Sequence, residues 1–426
     1  MKDKTTLKNS NAWLWIPSLY FASGLPYHAI TSISDIMYKD MGISNADIAL
    51  YTSILLIPWT IKPLWSPFVE MLSTRRKWTL YSQIALAICF TAVAFAIPSA
   101  YFLPLTLAAF MIGAFVSSTH DIALDGFYIL GLPQDKQSFF SGIRNTFYRI
   151  ATVFSSGVLV MLANKLSNHF GNNSIAWSAT FVTTAIIMAV LFIYHRKTLP
   201  CPENDICRET NGIKEIFNNF GDIIKTYFQK PGIGATILFL LLFRFPEAQL
   251  GKIGKLFLMD SIEAGGLALS LGDIGLVNGV VGIVGLIIGG IAGGICISRK
   301  GLKYWLWPMV IAISLPDIVY VYMSSALPQD ITTISFCIFI EQLGYGFGFT
   351  AYTLYMIYFA QGKYPTAHFA ISTAFMSLGM MLPGMISGKI QEYLGYEKFF
   401  VWIMACTIIT FAVSSLIKID KKFGKK

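Results

Sequence analysis

The sequence predicts an all-α polytopic membrane protein with twelve transmembrane helices, arranged as two pseudo-symmetric six-helix bundles with both termini in the cytoplasm. First, 55% of the 426 residues are hydrophobic and only 13% are charged, whereas soluble globular proteins carry about 25% charged residues. Second, apolar runs of about 20 residues, the length that crosses about 30 Å of hydrocarbon, recur along the chain. Third, Lys and Arg cluster between alternate runs. These features exclude a soluble enzyme, a nucleic-acid-binding protein and a disordered scaffold.

Twelve apolar runs follow one another along the chain. The first six lie near residues 13–34, 48–69, 78–98, 101–129, 138–163 and 174–195. The second six lie near residues 233–258, 272–297, 303–324, 331–358, 366–388 and 397–417. The first run follows three lysines, as in a signal peptide, but it is long and has no small-residue cleavage site. We therefore expect it to remain as the first transmembrane helix.

The basic residues predict the orientation of the chain. With a cytoplasmic N-terminus, 22 of the 32 Lys and Arg fall on the cytoplasmic side. Six fall on the opposite side, namely Lys39, Lys165, Lys252, Lys255, Lys389 and Lys398. The positive-inside rule therefore places both termini in the cytoplasm. The formal net charge of +9 is an orientation signal and does not indicate an acidic partner.

The predicted domains are an N-terminal bundle at 1–195, a linker at 196–232 and a C-terminal bundle at 233–426. The linker has an apolar stripe at helical spacing, which predicts an amphipathic helix; its members are Ile213, Ile216, Phe217, Phe220, Ile223, Ile224, Tyr227 and Phe228. This helix either lies on the inner membrane surface or packs on the protein as a linker. The sequence leaves both alternatives open.

The two predicted bundles share a loop pattern. After the second run of each, a Trp-Ser-Pro segment at 65–67 or a Gly-Gly pair at 289–290 leads to charged residues, which are Glu70, Arg75, Arg76, Arg299 and Lys300. This pattern resembles, in degenerate form, the loop signature of the major facilitator superfamily. The resemblance implies two six-helix repeats with a transport site between them. It also makes Glu70, Arg75 and Arg76 candidates for a cytoplasmic gate.

Nine charged residues fall inside the apolar runs. They are Lys62, Arg144, Arg149, Arg244, Asp121, Asp125, Glu247, Asp317 and Glu341. A charge at the bilayer centre costs roughly 2.5–3.5 kcal/mol, so we expect these side chains to face one another or a water-filled cavity. Lys62 and Arg144 are assigned to gating. Asp317 is a weaker functional candidate because the helix predicted to carry it is an outer, supporting one.

Asp121 and Asp125 are one helical turn apart and project from the same face of the fourth run. Two adjacent carboxylates can share a proton, which is what a proton-coupled carrier requires. The alternative is that they pair with Arg75, Arg76 or Lys136 to close the cytoplasmic side. Both aspartates remain candidates for proton coupling, and Asp125 also for the gate.

Arg244 and Glu247 share one face of the seventh run, about 16–21 Å into the helix at 1.5 Å per residue. This depth is the bilayer midplane, where carrier sites lie, and Arg149 and Glu341 reach a similar depth. We therefore expect Arg149 and Arg244 to bind substrate and Glu247 and Glu341 to bind protons. A purely structural salt-bridge cluster is the alternative.

Three further side chains are assigned to substrate binding. His28 lies in the first run and titrates near neutral pH in its unperturbed form, although a histidine simply packed in the core is the alternative. Tyr345, close to Glu341 in the tenth run, can stack on a sugar or acyl group, or line a helix contact. Tyr148 precedes Arg149. The cysteines have no metal-ligand spacing, so no metal site is predicted.

Several motifs resemble those of the AmpG-type muropeptide permeases and the related acetyl-coenzyme A transporters. They are Ser-Gly-Leu-Pro at 23–26, Lys-Pro-Leu-Trp-Ser-Pro at 62–67, Asp-Ile-Ala-Leu-Asp-Gly at 121–126, Tyr-Arg-Ile at 148–150, Ser-Gly at 156–157, Gly-Leu-Val-Asn at 275–278 and Glu341 before a Gly-rich run. The likeness extends over most of both halves. The chain departs from the family at Arg244 and Glu247, where Lys and Asp are usual, and at His120, where Gln is usual.

The resemblance implies a symporter of the bacterial inner membrane that imports N-acetylglucosaminyl-anhydro-N-acetylmuramyl peptides or related amino sugars. We expect it to act as a monomer. The proton gradient drives transport, with no bound cofactor. Two alternatives stay open: a carrier for another organic anion such as acetyl-coenzyme A, and a membrane-embedded enzyme acting on lipid head groups. The sequence contains no Gly-x-x-x-x-Gly-Lys-(Ser/Thr) motif, which argues against an ATP-driven pump.

Overall fold

In the computed structural model, residues 11–424 are described except 67–68, 70–71, 133, 203–204 and 206–212. Every regular element in this part of the chain is helical. Nine of the described helices are long and apolar enough to cross a membrane. The prediction of an all-α membrane protein is therefore confirmed.

The long helical stretches before the linker are numbered α1 to α6. They are α1 (residues 16–40), α2 (residues 45–61), α3 (Arg75–Ala96), α4 (Phe102–Gly131), α5 (residues 134–170) and α6 (Asn173–Thr198). Within α1 and α5, wider π-helical segments at Ala29–Ile33 and Phe154–Leu159 interrupt the α-helix. Such π segments inside α-helices are frequent at functional sites.

The linker helix spans Ile213–Phe228. The stretches after it are α7 (Ile233–Met259), α8 (Leu271–Lys300), α9 (Leu302–Ala326) and α10 (Ile331–Ala360). A last helical stretch, Pro365–Leu416, is interrupted at Gly395, where φ is 73° and ψ is 167°. This left-handed φ, which glycine adopts without a steric penalty, divides the stretch into α11 (residues 365–394) and α12 (residues 396–416).

Two helices of the second half are broken in the middle of their length. In α7, Ile233–Leu242 ends before Phe243, and a new helix begins at Phe245 with Pro246 in its first turn. In α9, a 3₁₀ turn at Leu315–Asp317, which contains Pro316, separates two α-helical parts. Proline lacks the N–H that an interior helical residue donates. The sequence therefore encodes both breaks locally.

Glycines allow several helices to approach closely. A Cβ on Gly289 of α8 would lie 2.0 Å from the carbonyl oxygen of Leu343 in α10, and one on Gly346 of α10 would lie 2.2 Å from that of Leu286. A π-helical segment also lies within α8, at Val277–Val281, and it meets the π-helical segment of α5. There, a Cβ on Gly279 would lie 2.2 Å from the carbonyl oxygen of Ser156. The Ser-Gly and Gly-Leu-Val-Asn motifs of the sequence therefore form a contact between the two halves.

The linker is attached to both halves. The carboxylate of Asp205 accepts hydrogen bonds from the backbone N–H groups of Arg75 and Arg76, each at 2.9 Å, and so caps the start of α3. At the other end, Tyr227 is fully buried, and its hydroxyl lies 3.0 Å from that of Ser372 in α11. The C-terminal end of the linker helix is therefore packed on the protein. The side chains of residues 213–219 lie outside the described part.

Candidate transport site

In the N-terminal half, α1, α2 and α4 converge on Asp121. Its carboxylate accepts hydrogen bonds from the hydroxyl of Ser23 at 2.7 Å and from the indole N–H of Trp59 at 3.2 Å. Lys62 lies close enough to interact electrostatically with it. The side chain of Lys136, another predicted partner, lies outside the described part.

Aromatic side chains extend from Asp121 along the same half. The ring of Tyr27 lies 5.0 Å from that of Trp59 and 5.1 Å from that of His28, and the His28 ring lies 5.8 Å from that of Tyr148. The hydroxyl of Thr152 lies 2.7 Å from Nε2 of His28. His28 and Tyr148, predicted from sequence, are therefore neighbours. Tyr27 and Trp59 were not predicted.

In the C-terminal half, Arg244 lies at the break in α7, where it precedes the helix Phe245–Met259. Its guanidinium donates a hydrogen bond to the hydroxyl of Tyr345. The guanidinium carbon is 5.3 Å from the ring centre of Tyr345 and 4.8 Å from that of Phe349. Cation–π contacts of this kind stabilise a desolvated Arg. The break and the two rings therefore hold the charge in place at mid-depth.

These two groups of residues face each other across the halves. Tyr27 of α1 interacts electrostatically with both Asp121 and Arg244. Arg149 of α5 interacts with His28 in its own half and with Tyr345 in the other. The residues predicted to bind substrate are thus brought together from both halves.

A second cluster lies in the C-terminal half beside Arg244. It consists of the carboxyl groups of Glu247, Asp317 and Glu341, which come from α7, α9 and α10 and have an oxygen each within 4.8 Å of one another. The three residues are only 6%, 2% and 3% exposed. The sequence ranks Asp317 as a weaker candidate, but the 3₁₀ turn of α9 places it against Glu247 and Glu341, two predicted proton-coupling residues.

The halves are joined by ion pairs at the end remote from the chain termini. Asp35 of α1 is buried, and its carboxylate lies 3.0 Å from the ammonium group of Lys252 and 2.9 Å from that of Lys255, both on α7. The sequence counts both lysines on the side opposite the chain termini, and the structure places them at that end. They lie within a helix and bridge the two halves. Two lysines at positions i and i+3 of an apolar run share one helix face, and this spacing could have indicated such a bridge.

A second bridge lies beside the first. The ammonium group of Lys39 is 2.5 Å from the carboxylate of Asp260. The amide of Asn45 donates to Asp260 at 3.1 Å and to Gln391 at 2.8 Å. A polar cavity of about 590 Å³ opens next to these residues, with Asp40, Ser167 and Ser270 among its lining. The two halves are thus held together at this end.

The predicted gating residues occupy the other end. Arg144 lies 3.6 Å from the carboxylate of Asp125, donates to the hydroxyl of Tyr20 at 3.2 Å, and stacks over the rings of Tyr20 and Tyr128. All these partners belong to the N-terminal half. Lys62 is near Asp125 as well as Asp121.

Arg75 and Arg76 begin α3 at the same end. The Arg75 side chain lies against α4, so that a Cβ on Gly126 would be 2.4 Å from its Nε. Arg76 donates to the carbonyl oxygens of Arg196 at 2.9 Å and Leu199 at 3.3 Å at the end of α6, where a cation also offsets the helix dipole. Glu70 lies outside the described residues.

Comparison with known proteins places the chain in a family. Residues 18–388 match the family profile described as the Major Facilitator Superfamily. The chain belongs to this superfamily and is a multi-pass protein of the inner membrane.

Individual relatives narrow the resemblance. The chain is 25% identical over 420 residues to a putative transporter AmpG 4 of Rickettsia felis, covering 95% of each chain. It is 24% identical over 398 residues to the anhydromuropeptide permease of Escherichia coli K12, covering 92% of this chain and 76% of that one. The resemblance to AmpG-type permeases is therefore confirmed.

Solved structures support the fold. The nucleoside transporter NupG matches with a TM-score of 0.69 at 15% identity, covering 96% of this chain and all of that one. A D-xylose–proton symporter matches with a TM-score of 0.70 at 12% identity, covering 97% and 99%. The architecture is that of a transporter of this superfamily.

Proposed function

We propose that the chain is a proton-coupled symporter that imports anhydro-muropeptides or related amino sugars by alternating access. The observation that carries the proposal is the pair of cationic side chains at the contact between the halves, Arg149 from one half and Arg244 from the other. Anhydro-muropeptides carry carboxylates and sugar rings, which suit cations set among aromatic rings. Similarity to an anhydromuropeptide permease over most of the chain supports the same substrate class.

The proposed topology has twelve crossings with both termini in the cytoplasm. Nine described helices are long and apolar enough to cross, and the last of them is divided at Gly395. The helical stretches at 16–40 and 45–61 supply the two remaining crossings. An even number of crossings and the concentration of basic residues on one side support cytoplasmic termini. The outer end is then the one at which the halves are joined.

Substrate is proposed to bind between the two halves, close to the midplane. Arg149 and Arg244 bind its carboxylate or lactyl groups, and Arg244 is pre-oriented by its bond to Tyr345. Tyr148, Tyr345 and His28 contact the sugar rings. The planar guanidinium of Arg presents its hydrogen-bond donors in a fixed, planar arrangement and stacks on aromatic rings, whereas the ammonium group of Lys does neither.

Protons are proposed to bind at Asp121, Asp125, Glu247 and Glu341. Lys62, Glu70, Arg75, Arg76 and Arg144 act at the cytoplasmic gate, and the ion pairs of Asp35 close the outer one. Because a charged carboxylate in a dry site is costly, proton binding favours the closure that carries the substrate across. The carrier works as a monomer, without cofactor or enzymatic activity.

Uptake into proteoliposomes tests the proposal. An imposed inward proton gradient should accelerate uptake of a labelled anhydro-muropeptide, and Glu341→Gln or Asp121→Asn should abolish the acceleration. Uptake that these variants leave unchanged and independent of the gradient would contradict proton coupling. Faster uptake of acetyl-coenzyme A than of the muropeptide would instead favour a carrier of another organic anion.

A further inference from the structure

We propose that Glu247, Asp317 and Glu341 form a single proton-binding unit, in which protons are shared among the three carboxyl groups and Asp317 is an essential member. This inference rests on the proposed proton-coupled transport and extends it. It assigns a role to a residue that the sequence pattern set aside, and it makes the coupling site a cluster within the C-terminal half.

The contacts of the three carboxyl groups support shared protons. Both oxygens of Asp317 and Oε1 of Glu247 are buried and have no hydrogen-bond donor among the described residues. Gln342 donates to both oxygens of Glu341, at 2.9 and 3.2 Å, and so does not satisfy the other two groups. A buried carboxylate without donors is strongly disfavoured. A proton placed between two carboxyl groups supplies the missing donor.

Charge leads to the same conclusion. Three ionised carboxylates within 4.8 Å of one another would place three negative charges in a site of low dielectric, where repulsion is poorly screened. Arg244, three residues before Glu247, interacts electrostatically with it and offsets one of those charges. Two positive charges are still needed for neutrality. Bound protons can supply them.

The backbone gives an independent indication of an ion site. The breaks in α7 and α9 both occur at this cluster, with Glu247 in the first turn after one and Asp317 in the other. Interrupted helices line the coupling-ion sites of many carriers. Gly344 of α10 completes the arrangement, because a Cβ there would lie 2.2 Å from the carbonyl oxygen of Ala312 and 2.6 Å from Cγ of Pro316. Only a glycine allows α10 to bring Glu341 this close to the α9 break.

The cluster is linked to the substrate site through Arg244. In the empty carrier the guanidinium offsets part of the negative charge of the cluster. When a substrate carboxylate binds Arg244, that compensation is lost and the cluster takes up a proton. Because such linkage is reciprocal, a proton on the cluster frees Arg244 for substrate. Substrate and proton therefore each favour the binding of the other, as symport requires.

Two transport assays in proteoliposomes test the role of Asp317. One measures accumulation of labelled anhydro-muropeptide driven by a proton gradient, and the other measures counterflow exchange at equal pH, which needs no net proton movement. Asp317→Asn should lower accumulation at least tenfold, to the level without a gradient, while counterflow stays within twofold of the unmodified protein. Glu263→Gln, in the exposed loop between α7 and α8, is the matched control and should change neither. Glu247→Gln should reproduce the effect of Asp317→Asn.

A spectroscopic measurement separates this inference from the proposed function. Infrared difference spectra of the purified protein over a pH titration detect protonated carboxyl groups without any substrate. Asp317→Asn should remove or shift a carboxyl band that Glu263→Gln leaves in place, even if the transported compound is not a muropeptide. A spectrum that Asp317→Asn leaves unchanged, full accumulation by that variant, or accumulation driven by a Na⁺ gradient at equal pH would overturn the proton-binding unit.

Discussion

Replacing Asp35 by Asn should open the outer end of the protein. Asp35 is buried, and it holds the ammonium groups of Lys252 and Lys255 at 3.0 and 2.9 Å across the two halves. Removing one partner of a buried ion pair costs about 3–5 kcal/mol. The substitution destabilises the state in which the halves are joined at this end. It does not destabilise the open state, because water solvates both lysines once the halves separate. At about 1.36 kcal/mol per tenfold, even the lower value shifts the ratio of joined to open states by roughly 100-fold.

Distances between spin labels measure this shift. Labels on cysteines introduced at His169, in the last turn of α5, and at Glu263, between α7 and α8, report the separation of exposed sites on the two halves. The native cysteines are replaced in the parent protein. We expect one short distance in the parent and a second, longer distance in Asp35→Asn.

Asp40→Asn provides the matched control. Asp40 lies near the same end of α1, but its carboxylate accepts a hydrogen bond from the Trp177 indole of its own half, at 2.8 Å. This variant should keep the distance distribution of the parent. An Asp35→Asn distribution identical to that of the parent would refute the view that these ion pairs hold the outer end closed.

Two further predictions concern the substrate site and helix packing. Arg244→Lys should raise the KM for uptake roughly tenfold or more, equivalent to about 1.4 kcal/mol of binding free energy, because Lys has no planar guanidinium to stack on aromatic rings. Initial rates of uptake over a concentration series measure this KM. An unaltered KM would contradict the prediction. Gly289→Ala should lower the free energy of unfolding by about 1–3 kcal/mol through overpacking, because its Cβ would lie 2.0 Å from the carbonyl oxygen of Leu343. The Tm should fall accordingly. Gly294→Ala, which has open space around it, should leave the Tm within error, and equal Tm values for the two variants would count against the close contact.

The sequence predicts the fold well because its signals are local. Apolar runs of membrane-spanning length depend on composition alone, and the helical stretches of the structure follow them closely. The helix breaks are also encoded locally, by Pro246 in α7 and Pro316 in α9. The packing of the C-terminal end of the linker helix on the protein, at Tyr227, could not be predicted. An apolar stripe suits a membrane surface and a protein surface equally.

The site was predicted in part. Asp121, Glu247, Glu341, Arg149 and Arg244 are candidates from the sequence because a charge in an apolar run must have a partner or water. The identity of each partner depends on how separate helices pack, which spacing along the chain does not give.

Three acidic or basic groups illustrate this limit. The sequence ranks Asp317 low because its helix is predicted to be an outer one, and the packing of that helix beside Glu247 and Glu341 is a property of the folded chain. The count of basic residues uses Lys252 and Lys255 only as orientation charges on the side opposite the termini. Their spacing marks them as a pair, but the identity of their partner, Asp35, more than 200 residues earlier in sequence, depends on how the two halves pack.

The most direct test of proton-coupled import is the movement of protons themselves. A pH-sensitive dye outside proteoliposomes reports external alkalinisation when the labelled anhydro-muropeptide is added without any imposed gradient. We predict that uptake is accompanied by alkalinisation in proportion to the substrate taken up, and that Asp317→Asn abolishes the alkalinisation while counterflow continues. Uptake by the unmodified protein with no change in external pH would contradict the proposed mechanism.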